Sequence, residues 1–268
     1  MSPSFFTSVL NSYLPEPHAS LLNGIIFGIP LKSTKLFYIQ LQRAGLLHIV
    51  VLSGMNITIL GGCVASFLHE LGKKITIVIT ICFIILFTVF VGPEPPIVRA
   101  AIMGTLSLLA TLYGKKNTAL ISMLVSAIVI ACFKPDWISS LSFQLSYGAT
   151  LGLILFGRAR GNKPQSTIRQ FLAFVKDDLR TSLSAQVFTA PLIFFSFKQV
   201  SLVCPLANLL VSPCIAPLMI FGFIASFFGK VHWALGAPSA YICYGLLSYL
   251  VFVVDMLSRL PFAFADFN

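Results

Sequence analysis

Charge is what this sequence has least of. Lys, Arg, Asp and Glu together make up 10% of its 268 residues, and only 8 of those side chains are acidic. Ordinary soluble domains are about one quarter charged, so a water-soluble globule is excluded. The 6 cysteines, Cys63, Cys82, Cys132, Cys204, Cys214 and Cys243, are scattered through apolar runs without a Cys-x-x-Cys pair, which excludes a disulfide framework or a thiolate zinc site. The four histidines, His18, His48, His69 and His232, show no i, i+4 ligand spacing. No metal and no other cofactor is expected. Pro3, Pro15 and Pro17 interrupt the first stretch, and no basic cluster precedes an apolar core there. No cleavable secretory signal is therefore expected in it.

What the sequence does have is length of apolar run: 57% of the residues are hydrophobic. A helix needs about 20 mostly apolar residues to cross a bilayer, and several runs reach that length. A spanning β-barrel would instead show alternating segments of about 10 residues. The expected fold class is all-α, a polytopic transmembrane helical bundle with broken or re-entrant helices. Residues 1–44 read as an amphipathic interfacial lead-in, because Lys32, Lys35, Gln40, Gln42 and Arg43 mix with apolar neighbours. Residues 45–268 read as the membrane domain, with about seven to eight spanning helices.

The runs are not uniform. Ser53, Gly54 and Asn56 interrupt residues 45–68, and a proline-rich turn after Gly92 ends residues 75–91. Residues 97–113 and 118–133 form a hairpin, followed by 137–157. Pro191 breaks residues 182–197, and Pro205, Pro213 and Pro217 divide 201–229 into a half-helix, a turn and a spanning helix; residues 237–257 are the last run. The net charge of +10 sets orientation before it says anything about nucleic acid. Residues 158–180 are the longest polar connection, rich in Arg158, Arg160, Lys163, Arg169, Lys176 and Arg180. Placed in the cytoplasm, they bring Lys73, Lys74, Lys115, Lys116 and Lys230 to the same side and leave both termini outside.

Polar groups within apolar runs are costly, up to about 3 kcal/mol for a central charge, so they default to functional candidates. They are His48, Ser53, Gly54 and Asn56 in the first broken run, then Arg99, Gln144, Ser146, Gln186 and Asn208. A Ser-His hydrolase is excluded: the chain lacks a Gly-x-Ser-Gly elbow, and a His five positions before Ser53 lies about 140° away around a helix. No catalytic residue is assigned. Arg99 either snorkels to the interface beside Glu94 or faces a polar path, where its guanidinium suits phosphate oxygens. Gln144 and Ser146 lie about 200° apart on a helix, so only one of them faces a pore. Asp255 and Arg259 have the i, i+4 spacing of a surface pair.

In order along the chain, these residues resemble the membrane domain of the ComEC family of competence proteins. The resemblance begins at Gly45-Leu46-Leu47-His48-Ile49-Val50-Val51-Leu52-Ser53-Gly54-Met55-Asn56 and continues through Arg99-Ala100. It goes on through Lys134-Pro135, Ser142-Phe143-Gln144-Leu145-Ser146, Leu183-Ser184-Ala185-Gln186 with Pro191, and Pro205-Leu206-Ala207-Asn208-Leu209 with Pro213. Asn56 departs from it, since many members carry His there. The resemblance implies a multi-pass inner-membrane channel that passes single-stranded transforming DNA into the cytoplasm. It implies His48, Ser53, Gly54, Asn56, Arg99, Gln144, Ser146, Gln186 and Asn208 as residues lining the path. The implied partners are single-stranded DNA, the lipid bilayer, other proteins of the competence machinery and a second copy of the chain. The family's metallo-β-lactamase-like domain has no counterpart here, because no His-x-His-x-Asp-His run is present, so no nuclease activity is expected. A secondary transporter for a small solute is the competing reading, as it also uses broken helices and midplane polar residues.

Overall fold

The computed structural model describes residues 3–50, 52–157, 167–260 and 264–266. Arg158, Arg160 and Lys163 of the expected cytoplasmic connection lie outside the described residues. The chain is an all-α bundle. Its helices are α1 (Ser4–Tyr13), α2 (His18–Phe27), α3 (Lys35–Ala44), α4 (Leu47–Val50), α5 (Gly54–Phe67), α6 (Lys73–Val91), α7 (Pro95–Leu112) and α8 (Ala119–Phe133). They are followed by α9 (Leu141–Phe156), α10 (Thr167–Phe197), α11 (Cys204–Val231) and α12 (Trp233–Ser258). Two three-residue strands, β1 (Gln199–Ser201) and β2 (Phe264–Asp266), pair antiparallel with Val200 opposite Ala265.

Local chemistry sets several of the helix starts. The side chain of Thr34 accepts from the Phe37 amide at the head of α3, and that of Ser140 accepts from the Phe143 amide at the head of α9. Pro95 and Pro96 open α7, where the missing amide protons are unneeded. Helices α6, α7, α11 and α12 are each long and apolar enough to cross a bilayer, while α2, α5, α8 and α9 are apolar but shorter. Leu86 and Val89 of α6 and Ile121 and Ile128 of α8 are exposed, as lipid-facing side chains of such helices would be. At one end of the bundle the Tyr13 hydroxyl donates to the Trp233 carbonyl at 2.6 Å, and Lys230 Nζ sits 3.7 Å over the Phe5 ring. This is the amphipathic aromatic and basic mixture that settles at headgroup depth.

Packing is uneven. Helices α1, α2, α3, α5, α11 and α12 share the dense core, with Leu22, Ile26, Leu41, Ile215, Leu218 and Leu247 among its fully buried side chains. Outside it, α9 and α10 pack tightly on each other yet stay half-open elsewhere; of the 16 residues of α9, Gly152 is the one that is buried.

Two expectations differ from the observed fold. Residues 19–27 of the expected interfacial lead-in are buried within the core as α2. The helix Leu21-Leu22-Asn23-Gly24-Ile25-Ile26-Phe27 is apolar around its circumference rather than on one face, and such a helix belongs inside. Residues 204–231 also form one helix, α11, with Pro213 and Pro217 inside it instead of a turn. Packing of α11 against α1, α2 and α12 sustains it. Likewise α10 runs continuously through Pro191.

Candidate functional site

The interruption expected at Ser53-Gly54 is present: α4 ends at Val50 and α5 begins at Gly54, with Ser53 in extended conformation between them. Around this break the polar residues gather in two clusters. They are separated by the short α4 and the break, at most about 20 Å of chain even if fully extended.

Asn56 is the most enclosed polar residue of the first broken run, 1% exposed. Its amide nitrogen donates to the Ile25 carbonyl at 2.9 Å, and its carbonyl oxygen accepts from the Ser53 hydroxyl at 3.2 Å. Ile25 lies in the last turn of α2, whose carbonyls have no intrahelical partner. Asn56 therefore caps α2 and fixes the break against the core. Asn56→Leu, similar in volume but without the amide, is expected to lower stability by about 1 to 3 kcal/mol, because it strands that carbonyl. The unfolding midpoint of the purified protein in detergent checks this, and an unchanged midpoint would remove the capping role.

The first cluster forms where α4, α10 and α11 meet. His48, at the second position of α4, is exposed. Its ring neighbours Asn208, whose amide nitrogen donates to Ser182 Oγ at 3.3 Å and to Cys204 Sγ at 3.8 Å. The Cys204 thiol points to the Gly45 carbonyl at 3.4 Å and also meets Gln186. Among the described residues Asn208 Oδ1 is buried without a hydrogen-bond partner, and a buried acceptor left open costs about 1 to 3 kcal/mol.

The second cluster centres on Arg99 of α7, which is half-buried. Its Nη1 donates to Thr150 Oγ1 and approaches Met103 Sδ at 3.8 Å. The guanidinium carbon lies 5.9 Å from the centre of the Tyr147 ring, and the Tyr147 hydroxyl bonds Ser126 Oγ at 2.8 Å. Arg99 Nη2 packs against Gly54 so closely that a Cβ there would stand 2.7 Å from it. Gly54 thus leaves room for the guanidinium at the start of α5. Among the described residues the ion pairs are His69 with Glu70 and Asp255 with Arg259. Arg99 is in neither. Among the described residues its Nε is buried with no hydrogen-bond partner, so a full positive charge is held among neutral groups, with Glu94 outside ion-pair distance. The Arg99 side chain is turned toward α5 and α9 instead of out to the interface.

The candidates on α9 separate as their spacing requires. Gln144 is exposed, while Ser146 is half-buried and gives its carbonyl to Thr150 Oγ1 at 2.8 Å. Tyr147 and Thr150, one turn apart, are the residues that reach Arg99. They were missed in the sequence, as were Ser126, Ser182 and Cys204, because hydroxyl, thiol and aromatic side chains are ordinary packing residues in apolar helices. The one available signal was the i, i+3 spacing of Tyr147 and Thr150. Asp255 meets Arg259 at 2.7 Å and also accepts from Gln40 of α3 at 2.8 Å; this joins α3 to α12 and lies apart from both clusters.

Comparison with known proteins adds the family. Residues 31–268 match the sequence model described as Competence protein. The chain is 24% identical over 247 residues to the ComE operon protein 3 of Bacillus subtilis (strain 168), covering 85% of this chain and 30% of that protein. It is 27% identical over 186 residues to an uncharacterized protein of Aquifex aeolicus (strain VF5), covering 68% of this chain and 41% of that protein. The chain thus spans less than half the length of either relative. No solved structure matches it. With a match over nearly its whole length and four helices able to cross a bilayer, the chain is a membrane protein that belongs to the Competence protein family.

Proposed function

We propose that this chain forms the inner-membrane conduit through which single-stranded transforming DNA passes to the cytoplasm. The strand carries one charge per nucleotide and cannot cross about 30 Å of hydrocarbon unaided. It needs a cationic, hydrogen-bonding groove with aromatic faces on which bases stack. The observation that carries this reading is Arg99, a half-buried cation without an acidic partner among the described residues, beside Tyr147, whose ring stacks on Phe143 with centroids 4.2 Å apart. His48, Gln186 and Asn208 of the first cluster, and Ser53 at the break between the two, add uncharged donors and acceptors to the path. Asn56 and Gly54 shape it. Ser146 enters only through its backbone, and Gln144 faces outward on α9. The connection at residues 158–180 is on the cytoplasmic side, and α2 joins the residues after 44 in the membrane unit. Other competence proteins and a second copy of the chain are the partners that go with this role.

A photoreactive amino acid in place of Ser53 or Gln186 is expected to crosslink labelled DNA during uptake in cells that make the natural protein. The same group at Val89, which is exposed on α6, is expected to give none. Equal crosslinking at all three positions, or none at Ser53 and Gln186, would overturn the placement of the path. A small-solute transporter would likewise leave DNA uncrosslinked.

A further inference from the structure

Helix α10 changes character along its length. Its first part carries Arg169, Lys176, Asp177, Asp178 and Arg180, whereas no charged residue occurs from Thr181 to Phe197. The uncharged part is about 25 Å long at 1.5 Å per residue, close to the thickness of a hydrocarbon layer, so the step at Arg180 marks the membrane boundary. A groove of about 870 Å³ straddles that step. Phe156 at the end of α9 and Leu172, Val175, Leu179, Leu183 and Val187 of α10 form its walls. Lys176 and Arg180 also border it, whereas Asp177 and Asp178 do not. Arg180 Nε donates to the Phe156 carbonyl at 2.9 Å, which holds the guanidinium at the rim; among the described residues its other nitrogens make no hydrogen bond. Neither basic residue has an ion-pair partner among the described residues.

We propose that this groove binds one molecule of an anionic phospholipid, with its phosphate against Lys176 and Arg180 and one acyl chain along Leu183, Val187 and Phe156. Two features argue for a lipid rather than another occupant. The groove is continuous with helix surface at hydrocarbon depth, so a chain lying in it extends the surrounding lipid. The basic pair also stands on the headgroup side of the charge step, at the level where a phosphate lies when its tail occupies the apolar part. A pair of cations that makes no ion pair among the described residues and faces the groove without a carboxylate favours a lipid with net negative charge over a zwitterionic one, whose own ammonium opposes the pair.

Val187→Trp places a fluorophore in the wall of the groove. The full chain would be reconstituted in phosphatidylcholine vesicles containing a small fraction of either phosphatidylglycerol or phosphatidylcholine brominated on one acyl chain. Quenching would be compared with that of protein lacking the added Trp. Brominated phosphatidylglycerol is expected to quench at lower mole fraction, by about fivefold per basic side chain. Lys176→Gln, whose side chain makes no hydrogen bond or ion pair among the described residues, is expected to remove part of that preference. Adding Arg180→Gln is expected to remove the rest. Equal quenching by the two lipids would show an ordinary lipid-facing surface and overturn the site. Absence of quenching by either would show the groove covered by protein and overturn it as well.

Discussion

Arg99→Ala is expected to reduce transformation by about 100-fold or more, the size of losing charge-assisted hydrogen bonds to a phosphate from a partly desolvated site. The protein should remain in the membrane at normal abundance. Among the described residues Arg99 has no acidic partner and its Nε is buried without an acceptor, so removing it relieves an unpaired charge instead of creating one. An effect on uptake without loss of protein is therefore the signature of a group facing the substrate. Arg99→Lys should restore only part of the activity. A single ammonium cannot reproduce the spread of the guanidinium, which bonds Thr150 through Nη1, packs Nη2 against Gly54 and keeps its carbon 5.9 Å from the centre of the Tyr147 ring. Were Arg99 merely snorkelling, lysine would serve equally well. Transformation frequency and membrane levels would be measured together for both variants, and normal uptake in Arg99→Ala would remove the main reason for drawing the path along α7.

The second large effect is expected at Gly152, and it concerns stability. A Cβ added there would stand 2.0 Å from the Ser184 carbonyl oxygen of α10, and backbone cannot move aside as a flexible side chain can. The tight approach of α9 and α10 depends on that missing methyl. Gly152→Ala should cost about 1 to 3 kcal/mol as overpacking, and Gly152→Val more. Gly62 of α5 provides the contrast, since nothing lies within 4 Å of a Cβ built on it. Gly62→Ala should be neutral or should stabilise by up to about 1 kcal/mol through helix propensity. Unfolding midpoints of the three variants in detergent would decide. If Gly152→Ala were as stable as the parent, the close contact of the two helices would be refuted.

The break before Gly54 was legible in the sequence because it is local chemistry: a serine, a glycine and an asparagine in sequence disrupt an apolar helix wherever it sits. The surface pair of Asp255 and Arg259 was legible for the same reason, since i, i+4 spacing fixes neighbours within one helix. The role of Asn56 was not, because its partner, the Ile25 carbonyl, stands 31 positions away. Nor could the prolines reveal that α11 is unbroken, as the effect of a proline depends on what packs around the freed backbone.

The sequence by itself determined the class of solvent, the all-α fold class and the membership of the chain in its family. Scarce charge, long apolar runs and short motifs are properties of neighbouring residues, and neighbours are what a sequence records. Only the tertiary structure decided which polar residues share a site. Each helix turns about 100° per residue, so its facing is set by packing against distant segments. That rotation brought Tyr147 and Thr150 to Arg99 and turned Gln144 away, and it joined His48, Gln186 and Asn208 from three separate helices.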